Sequence, residues 1–278
     1  MTTPIAEIRS GDGAASIIHS ARAFLYDAGP SGEAFARAVA VETPIEIAYG
    51  GQPFAVMMGT PADLEDFVVG FSFTEGIVAS LEEIRAIEVK IDGEAARVNV
   101  ALTGERLRAH LARRRAIAGR TGCGLCGVED LDHLPKPPAR RERARTPSPR
   151  AIGAAVKALD VKQPLNVATH AVHAAAWAGA NGALRIVRED VGRHNALDKC
   201  IGALLRGGVA PDDGFFLITS RCSFEMVAKA AAFGASAVVA VSAPTSLALS
   251  AARNAGVALV TVARHNAALI FDDEGDAS

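Results

Sequence analysis

The chain has 278 residues, half of them apolar, so it is long enough for one large domain or two smaller ones with a substantial core. Its formal charge of −2 gives no indication of nucleic-acid binding, and no apolar run reaches the roughly eighteen residues that a membrane span needs. Four cysteines in a chain of this length, without an N-terminal signal peptide, do not make a disulfide framework. These features predict a protein of a reducing compartment, most simply the cytoplasm.

Residues 1–34 are rich in Gly, Ser and Ala without clear periodicity, and they predict a loosely ordered N-terminal arm. Residues 35–134 predict a smaller domain of hairpins and helices that ends in a cysteine-containing loop. Its first hairpin turns at Gly50 and Gly51, because a Gly-Gly pair between two strand-like runs is typical of a tight β-turn.

The rest of this domain is predicted from start and stop signals. Thr60 as N-cap and Pro61 at the first helical position predict a helix that ends near Gly76. A second hairpin is expected over residues 84–102 with its turn at Asp92 and Gly93, followed by a helix over residues 106–117 that leads into the cysteine loop.

Residues 135–150 are dense in proline and arginine, which predicts an extended linker, since proline joins neither a helix interior nor a central strand. Residues 151–278 then alternate between helical and strand-like segments. The expected helices are 151–159, 195–205, 223–233 and 244–254, and the expected strands lie within 165–177 and at 183–188, 214–219, 237–242 and 257–262. This order predicts an α/β fold, a three-layer sandwich with a mixed sheet, which resembles the cytidine-deaminase-like fold.

The most reactive-looking segment is a glycine-rich loop that carries Cys123 and Cys126. Gly122, Gly124 and Gly127 allow backbone conformations that other residues resist, which predicts a tight exposed loop. A Cys-x-x-Cys pair in such a loop has three uses: metal ligation, dithiol redox chemistry, or carriage of sulfur on a thiolate.

A zinc site needs four ligands, and Cys200 and Cys222 lie far away on predicted helices. His110 and His133 flank the loop, but their spacing fits no familiar zinc pattern. Thioredoxin-like chemistry normally places the pair after a strand and at a helix N-terminus, whereas this loop follows a helix. The residues alone leave a sulfur carrier and a zinc site about equally supported.

Arginines cluster next to the loop, and their charge favours a thiolate. Arg113, Arg114, Arg115 and Arg120 would stabilise the ionised sulfur and lower its pKa. A reactive thiolate on an exposed loop is suited to accept sulfur as a persulfide, and the equal support for a sulfur carrier and a zinc site already includes this argument.

Further candidate segments follow the predicted strands. The charged run at residues 188–195 opens a helix, where Gly192 permits close backbone approach and Arg193 favours phosphate binding; a plain charge network is the alternative. Ser220 or Ser223 is expected to cap the next helix, and Cys222 is expected to be a small buried residue, with a thiol activated by the helix N-terminus as the alternative. Of the remaining candidates, His173 is expected to be a satisfied polar group and Trp177 a core or interface aromatic. The segment 264–266 follows the last predicted strand, where an ordinary surface loop is the alternative.

Several strings together resemble the FdhD family, the sulfurtransferase required for formate dehydrogenase activity, over roughly residues 41–271. The strings are FVVGFSFTEGI at 67–77, RRRAIAGRTGCGLCG at 113–127, HAAAW at 173–177, EDVGRH at 189–194, ALDK at 196–199 and SFEMV at 223–227. The resemblance implies a cytoplasmic homodimer that takes sulfur from a cysteine desulfurase. The protein would pass this sulfur to the molybdenum of the bis-molybdopterin guanine dinucleotide cofactor before the cofactor enters formate dehydrogenase.

The resemblance also implies site residues. Cys123 would carry the persulfide and Cys126 would assist it. The implied cofactor-binding segment is Val262, Ala263, Arg264, His265, Asn266 and Ala267, in which Asn266 and Ala267 depart from the Gly-Arg usual in the family. A guanine nucleotide would mimic the cofactor, and no metal ligand, nucleic acid or membrane is implied. The alternatives are a cofactor-binding protein without sulfur chemistry and a zinc protein that uses both cysteines.

Overall fold

The computed structural model describes residues 9–10, 13–25, 29–116, 146–264 and 267–271. Its helices are α1 Leu64–Thr74, α2 Gly104–Ala116, α3 Pro149–Leu159, α4 Pro164–Thr169, α5 Arg193–Arg206, α6 Phe224–Phe233 and α7 Ser246–Ala255. Its strands are β1 Arg9–Ser10, β2 Gly13–Ala14, β3 Ser16–Leu25, β4 Gly29–Ala40, β5 Thr43–Tyr49, β6 Gln52–Gly59, β7 Ile84–Asp92, β8 Ala95–Leu102, β9 His173–Gly179, β10 Leu184–Asp190, β11 Gly214–Ile218, β12 Ala237–Ala240, β13 Ala258–Arg264 and β14 Ala267–Ile270.

The N-terminal body is a four-stranded sheet in the order β6-β5-β8-β7, with α1 packed on one face. Both predicted hairpins are confirmed. Gly50 and Gly51 have φ of 59° and 77°, which is the left-handed conformation that this turn requires. The core contains Tyr49, Phe67 and Val98, all fully buried.

The predicted start of α1 is wrong. The helix begins at Leu64, and its N-cap is Asp63, which has a φ of 54°. Thr60 is instead tied to the C-terminal half, because its hydroxyl accepts a hydrogen bond from Val191 N at 3.2 Å. The predicted end is close, since the helix stops at Thr74 and Gly76 has a φ of 66°.

The prediction of a loosely ordered arm is wrong where β3 and β4 form a long antiparallel hairpin. Its base contributes Ala15 and Ala40 to a small apolar cluster with Leu165 and Val172. Many of the paired residues are small, so the period-two alternation that identifies a strand is weak in this part of the sequence.

The C-terminal body is a mixed six-stranded sheet in the order β10-β9-β11-β12-β13-β14. Helices α5, α6 and α7 cover one face and α3 covers the other, which gives three layers. Strands β11 and β12 lie inside this sandwich, which explains why their sequences are apolar without alternation. A mixed-sheet α/β architecture is thus confirmed, while the closer likeness to cytidine deaminases stays a prediction.

Two elements of this body were missed. Residues 164–169 form α4, with Pro164 at its first position, although they lie in a segment expected to contain only a strand. Strand β14 follows β13, which was expected to be the last strand. Both elements are short, and short elements carry too few residues to establish a period.

The two bodies are joined by a close contact between α1 and α5. A Cβ added at Gly70 would lie 1.8 Å from Asp198 O, and one added at Gly202 would lie 1.8 Å from Asp66 O. The backbones of the helices therefore touch, and the side-chain-free glycines make that approach possible.

Candidate functional site

Polar segments of the C-terminal body meet at one edge of its six-stranded sheet. Strands β10, β11, β12 and β13 end at this edge, and the antiparallel β9 begins there with His173. Arg193 and Arg221 lie in the segments that follow β10 and β11, and Arg264 is the last residue of β13. The structure thus brings together segments that are far apart in the sequence, at the edge where open α/β sheets bind ligands.

Asp190 organises the start of α5. Its fully buried carboxylate accepts hydrogen bonds from Gly192 N at 2.7 Å, Asn195 Nδ2 at 3.1 Å and Thr60 N at 3.0 Å. Its Oδ2 also lies 2.6 Å from Lys199 Nζ. With four donors around it, this carboxylate is fully engaged in fixing the loop between β10 and α5.

The next two charged residues of this segment also have structural partners. Glu189 accepts hydrogen bonds from the first backbone N–H groups of α4, Leu165 N at 3.0 Å and Asn166 N at 2.7 Å. Arg188 donates to Asp66 Oδ2 at 2.9 and 2.7 Å. The charge-network reading of the run 188–195 is therefore right for residues 188–190, which leaves Arg193 and His194 as the candidates for ligand contact.

Four basic side chains lie at this edge, and we call His173, Arg193, His194 and Arg221 the basic rim. Two polar atoms beside it, Arg193 Nε and Ser223 Oγ, are buried and have no hydrogen-bond partner within the described residues. A buried donor without a partner is costly, so an acceptor supplied by a ligand would satisfy both atoms.

An acidic residue missed by the sequence reasoning adjoins the rim. Glu225, in the first turn of α6, places its Oε2 2.7 Å from His194 Nε2, which is ion-pair distance. The angles at this contact do not meet those of a hydrogen bond. Burial acts to raise the pKa of Glu225, but its interaction with His194 and the charges of Arg193 and Lys229 outweigh burial and lower it. The sequence feature that could have pointed to Glu225 is its position in the string 223–227, one of the strings that resemble the FdhD family.

His173 is a half-buried residue of the rim, and its surroundings lower its pKa. Burial is the largest influence that lowers its pKa, and the charges of Arg193, Arg221 and His194 act in the same direction. The charge of Asp190 opposes them without reversing the shift. His173 is therefore held towards its neutral form in the free protein.

The segment around Cys222 is mainly structural. The thiol is buried, and burial raises its pKa to about 12, so it is a poor nucleophile at neutral pH. Ser223 occupies the N-cap position of α6, as expected, but its side chain makes no capping hydrogen bond. Ser220 does not cap this helix, since its hydroxyl donates to Arg221 O at 3.0 Å. Trp177 is fully buried against Phe216, as a core aromatic.

The implied cofactor segment contains one exposed charged group among its described residues, Arg264, whose Nε donates to Val241 O at 3.0 Å. Ala263 is buried in the core, and Ala267 pairs with Arg264 across β13 and β14. Val262 has a φ of 53°, an uncommon conformation for a β-branched residue, at an irregularity in β13. His265 and Asn266 lie outside the described residues.

Cys123 and Cys126 also lie outside the described residues, as do Arg120 and His133. The structure does show the helix that leads to them. Arg106 at the start of α2 donates to Ile77 O and to Gly76 O, and the tilted ring of His110 packs on Tyr49 with the ring centroids 4.8 Å apart. The start of α2 is thus held firmly against the N-terminal body.

A buried charge cluster lies below the rim. Lys229 Nζ on α6 contacts Asp198 Oδ2 at 2.9 Å, Glu75 Oε1 at 3.0 Å and Thr74 Oγ1 at 2.9 Å. Two carboxylates from different bodies are neutralised by one lysine, which ties α6 to α5 and to the end of α1. The rim is therefore supported by a fixed framework.

Comparisons with known proteins assign the family. The sequence model of the FdhD/NarQ family matches residues 40–277. The chain belongs to the FdhD/NarQ family. Among relatives named sulfur carrier protein FdhD, this family member is 46% identical over 233 residues to that of Xanthomonas axonopodis pv. citri, covering 84% of this chain and 83% of the relative. It is 47% identical to that of Bordetella petrii over 234 residues, covering 84% of each chain.

A solved structure agrees with this membership. A formate dehydrogenase accessory protein from Desulfotalea psychrophila superposes with a TM-score of 0.70 at 26% identity, covering 94% of this chain and 98% of the other. The resemblance to the FdhD family inferred from the sequence strings is confirmed. Within the described ranges, this FdhD/NarQ protein has no helix long and apolar enough to cross a membrane and no group of three metal-binding side chains.

Proposed function

We propose that this chain is a sulfur carrier that holds sulfur as a persulfide on Cys123 and delivers it to molybdenum. The acceptor is the bis-molybdopterin guanine dinucleotide cofactor, and delivery precedes insertion of the cofactor into formate dehydrogenase. The observation that carries this proposal is the family match, which spans both Cys123 and Cys126, together with relatives named sulfur carrier protein FdhD.

The first step is an exchange between thiol and persulfide. The Cys123 thiolate attacks the terminal sulfur of a cysteine desulfurase persulfide, forming a new S–S bond, and the desulfurase cysteine leaves as a thiolate. In the second step the S–S bond on Cys123 breaks and its electron pair stays on Cys123 as a thiolate. The transferred sulfur takes two electrons from the reduced acceptor metal. Cys126 assists by protecting or relaying the sulfur.

The basic rim supplies a place for the acceptor cofactor, which carries two pyrophosphate groups. Arg193 and Arg221 of the rim follow β10 and β11, and Arg264 ends β13 at the same sheet edge, so together they present positive charge along that edge. Guanidinium groups and helix N-termini are well suited to phosphate oxygens. A guanine nucleotide serves as a mimic of the cofactor at this site.

The proposed partners are a cysteine desulfurase as sulfur donor, formate dehydrogenase as recipient and a second copy of the chain, in the cytoplasm. The β3–β4 hairpin supports the homodimer, because Ile17, Phe35 and Val39 remain 41–49% exposed on it. An isolated two-stranded hairpin is marginally stable in water, so apolar contacts with a second copy would favour it. The molar mass of the purified chain in solution tests this point.

The deciding experiment is intact-mass measurement after incubation with L-cysteine and a cysteine desulfurase. The parent protein is expected to gain one sulfur atom, and the Cys123→Ala variant is expected to gain none. Cys222→Ala is the matched control and should still gain sulfur, because that thiol is buried. Absence of any gain in the parent protein would contradict sulfur carriage.

A second candidate is a cofactor-binding protein in which the cysteines only shape their loop. The unpartnered donors Arg193 Nε and Ser223 Oγ favour it, since a ligand would supply their missing acceptor without any sulfur chemistry. Nucleotide binding without sulfur gain would select this candidate. Stoichiometric zinc in the purified protein would instead favour a zinc site at Cys123 and Cys126.

A further inference from the structure

The rim has an unusual balance of charge. Basic side chains face it from three places: His173 from β9, Arg193 and His194 from α5, and Arg221 from the loop before α6. The acids that act on these groups are Asp190 at the end of β10 and Glu225 on α6. The protonation of the rim histidines depends on whether these two carboxylates can neutralise an additional positive charge.

Neither carboxylate is free. Asp190 already accepts three hydrogen bonds and forms an ion pair with Lys199, so its negative charge is balanced by the loop N–H groups and by that lysine. Glu225 is paired with His194 at 2.7 Å. A proton on His173 would therefore place another positive charge beside Arg193 and Arg221 without a matching acid.

An anion changes this balance. The unpartnered Arg193 Nε and Ser223 Oγ mark where an acceptor oxygen would be held, at the sheet edge where β9 begins with His173. A bound pyrophosphate carries two negative charges, which favour the protonated form of a neighbouring imidazole. Arrival of the ligand and arrival of the proton then stabilise each other.

We propose that His173 is a specificity-determining residue of the rim that takes up one proton when a pyrophosphate-bearing ligand binds, so that the site favours doubly charged anions. The inference rests on the proposed role of the rim as the site for the cofactor's pyrophosphates. If one proton is taken up on binding, the affinity of the rim for the pyrophosphate-bearing ligand rises as the pH falls, by up to roughly tenfold per pH unit.

The test uses GDP-mannose, because a pyrophosphate diester has no phosphate that titrates near neutral pH and any proton taken up must go to the protein. Calorimetric titrations of the full chain at pH 7, in two buffers with different heats of ionisation, give the number of protons bound. A positive uptake of up to one proton is expected, and it should disappear in His173→Gln. Guanosine, which lacks phosphate, should show no uptake.

A second variant separates His173 from a nearby histidine. His170 is exposed and has a left-handed backbone, which asparagine tolerates, so His170→Asn should keep the uptake. Uptake that persists in His173→Gln, or that vanishes in His170→Asn, would overturn the assignment.

The outcomes also separate this inference from the proposed function. Binding of GDP-mannose with no proton uptake would overturn the role of His173 and leave the rim as a ligand site. No binding at all would overturn both the site and the role of His173. The sulfur gain on Cys123 is measured independently of either result.

Discussion

Replacing Gly70 by alanine should force α1 and α5 apart. The added Cβ would lie 1.8 Å from Asp198 O, so reaching even 3.0 Å requires a separation of about 1.2 Å between two packed helices. The contacted atom is a backbone oxygen, which cannot rotate away as a side chain can. The cost is therefore expected at the upper end of overpacking, about 3 kcal/mol or more in the free energy of unfolding.

The assay is thermal and urea unfolding of the full chain. A loss of about 3 kcal/mol corresponds to a Tm lowered by roughly 6 °C or more for a chain of this size. Gly153→Ala is the matched control, because Gly153 is exposed on α3 and an added Cβ there meets nothing within 4 Å. This control should stabilise the protein by roughly 0.5–1 kcal/mol, since alanine favours a helix more than glycine does. A Gly70→Ala variant as stable as the control would refute the close contact of the helices.

Two further changes test the framework below the rim. Lys229→Met should lower the free energy of unfolding by about 3–5 kcal/mol, because Asp198 and Glu75 lose their shared cation. The control Lys157→Met, on the exposed side of α3, should change it by about 0.5 kcal/mol or less, and equal effects in urea unfolding would contradict the role of Lys229. Thr245→Ala should lower the free energy of unfolding by about 1 kcal/mol, because the Thr245 hydroxyl accepts a hydrogen bond from Ala248 N at 3.2 Å at the start of α7. Ser223→Ala should lower it less, since the Ser223 side chain makes no capping hydrogen bond, and the reverse order in urea unfolding would contradict both assignments.

The structure gives the first three residues of the charged run at 188–195 a structural role. Arg188, Glu189 and Asp190 all have partners that fix the loop between β10 and α5. Arg193 and His194 begin α5 and are the proposed ligand contacts. If that proposal holds, a substitution at Asp190 would disturb the site through misplacement of α5, and one at Arg193 would act on ligand contact.

The sequence by itself determined the elements whose signals are local. Gly50 and Gly51 between two strand-like runs, and Asp92 with Gly93 between the next two, place both hairpins correctly, because turn geometry depends on the residues in the turn. The family and the candidate persulfide at Cys123 also came from strings of neighbouring residues, and the family match confirms the first of these.

Only the tertiary structure decided how distant residues share a site. Thr60 reads as a helix cap, yet its backbone and hydroxyl bond with Val191, Asp190 and Lys199, more than 120 positions along the chain. The engagement of Asp190, the pairing of Glu225 with His194 and the contact of Gly70 with α5 all join segments that carry no mutual signal in the sequence. Their partners are set by sheet order and helix packing, so they follow from the fold as a whole.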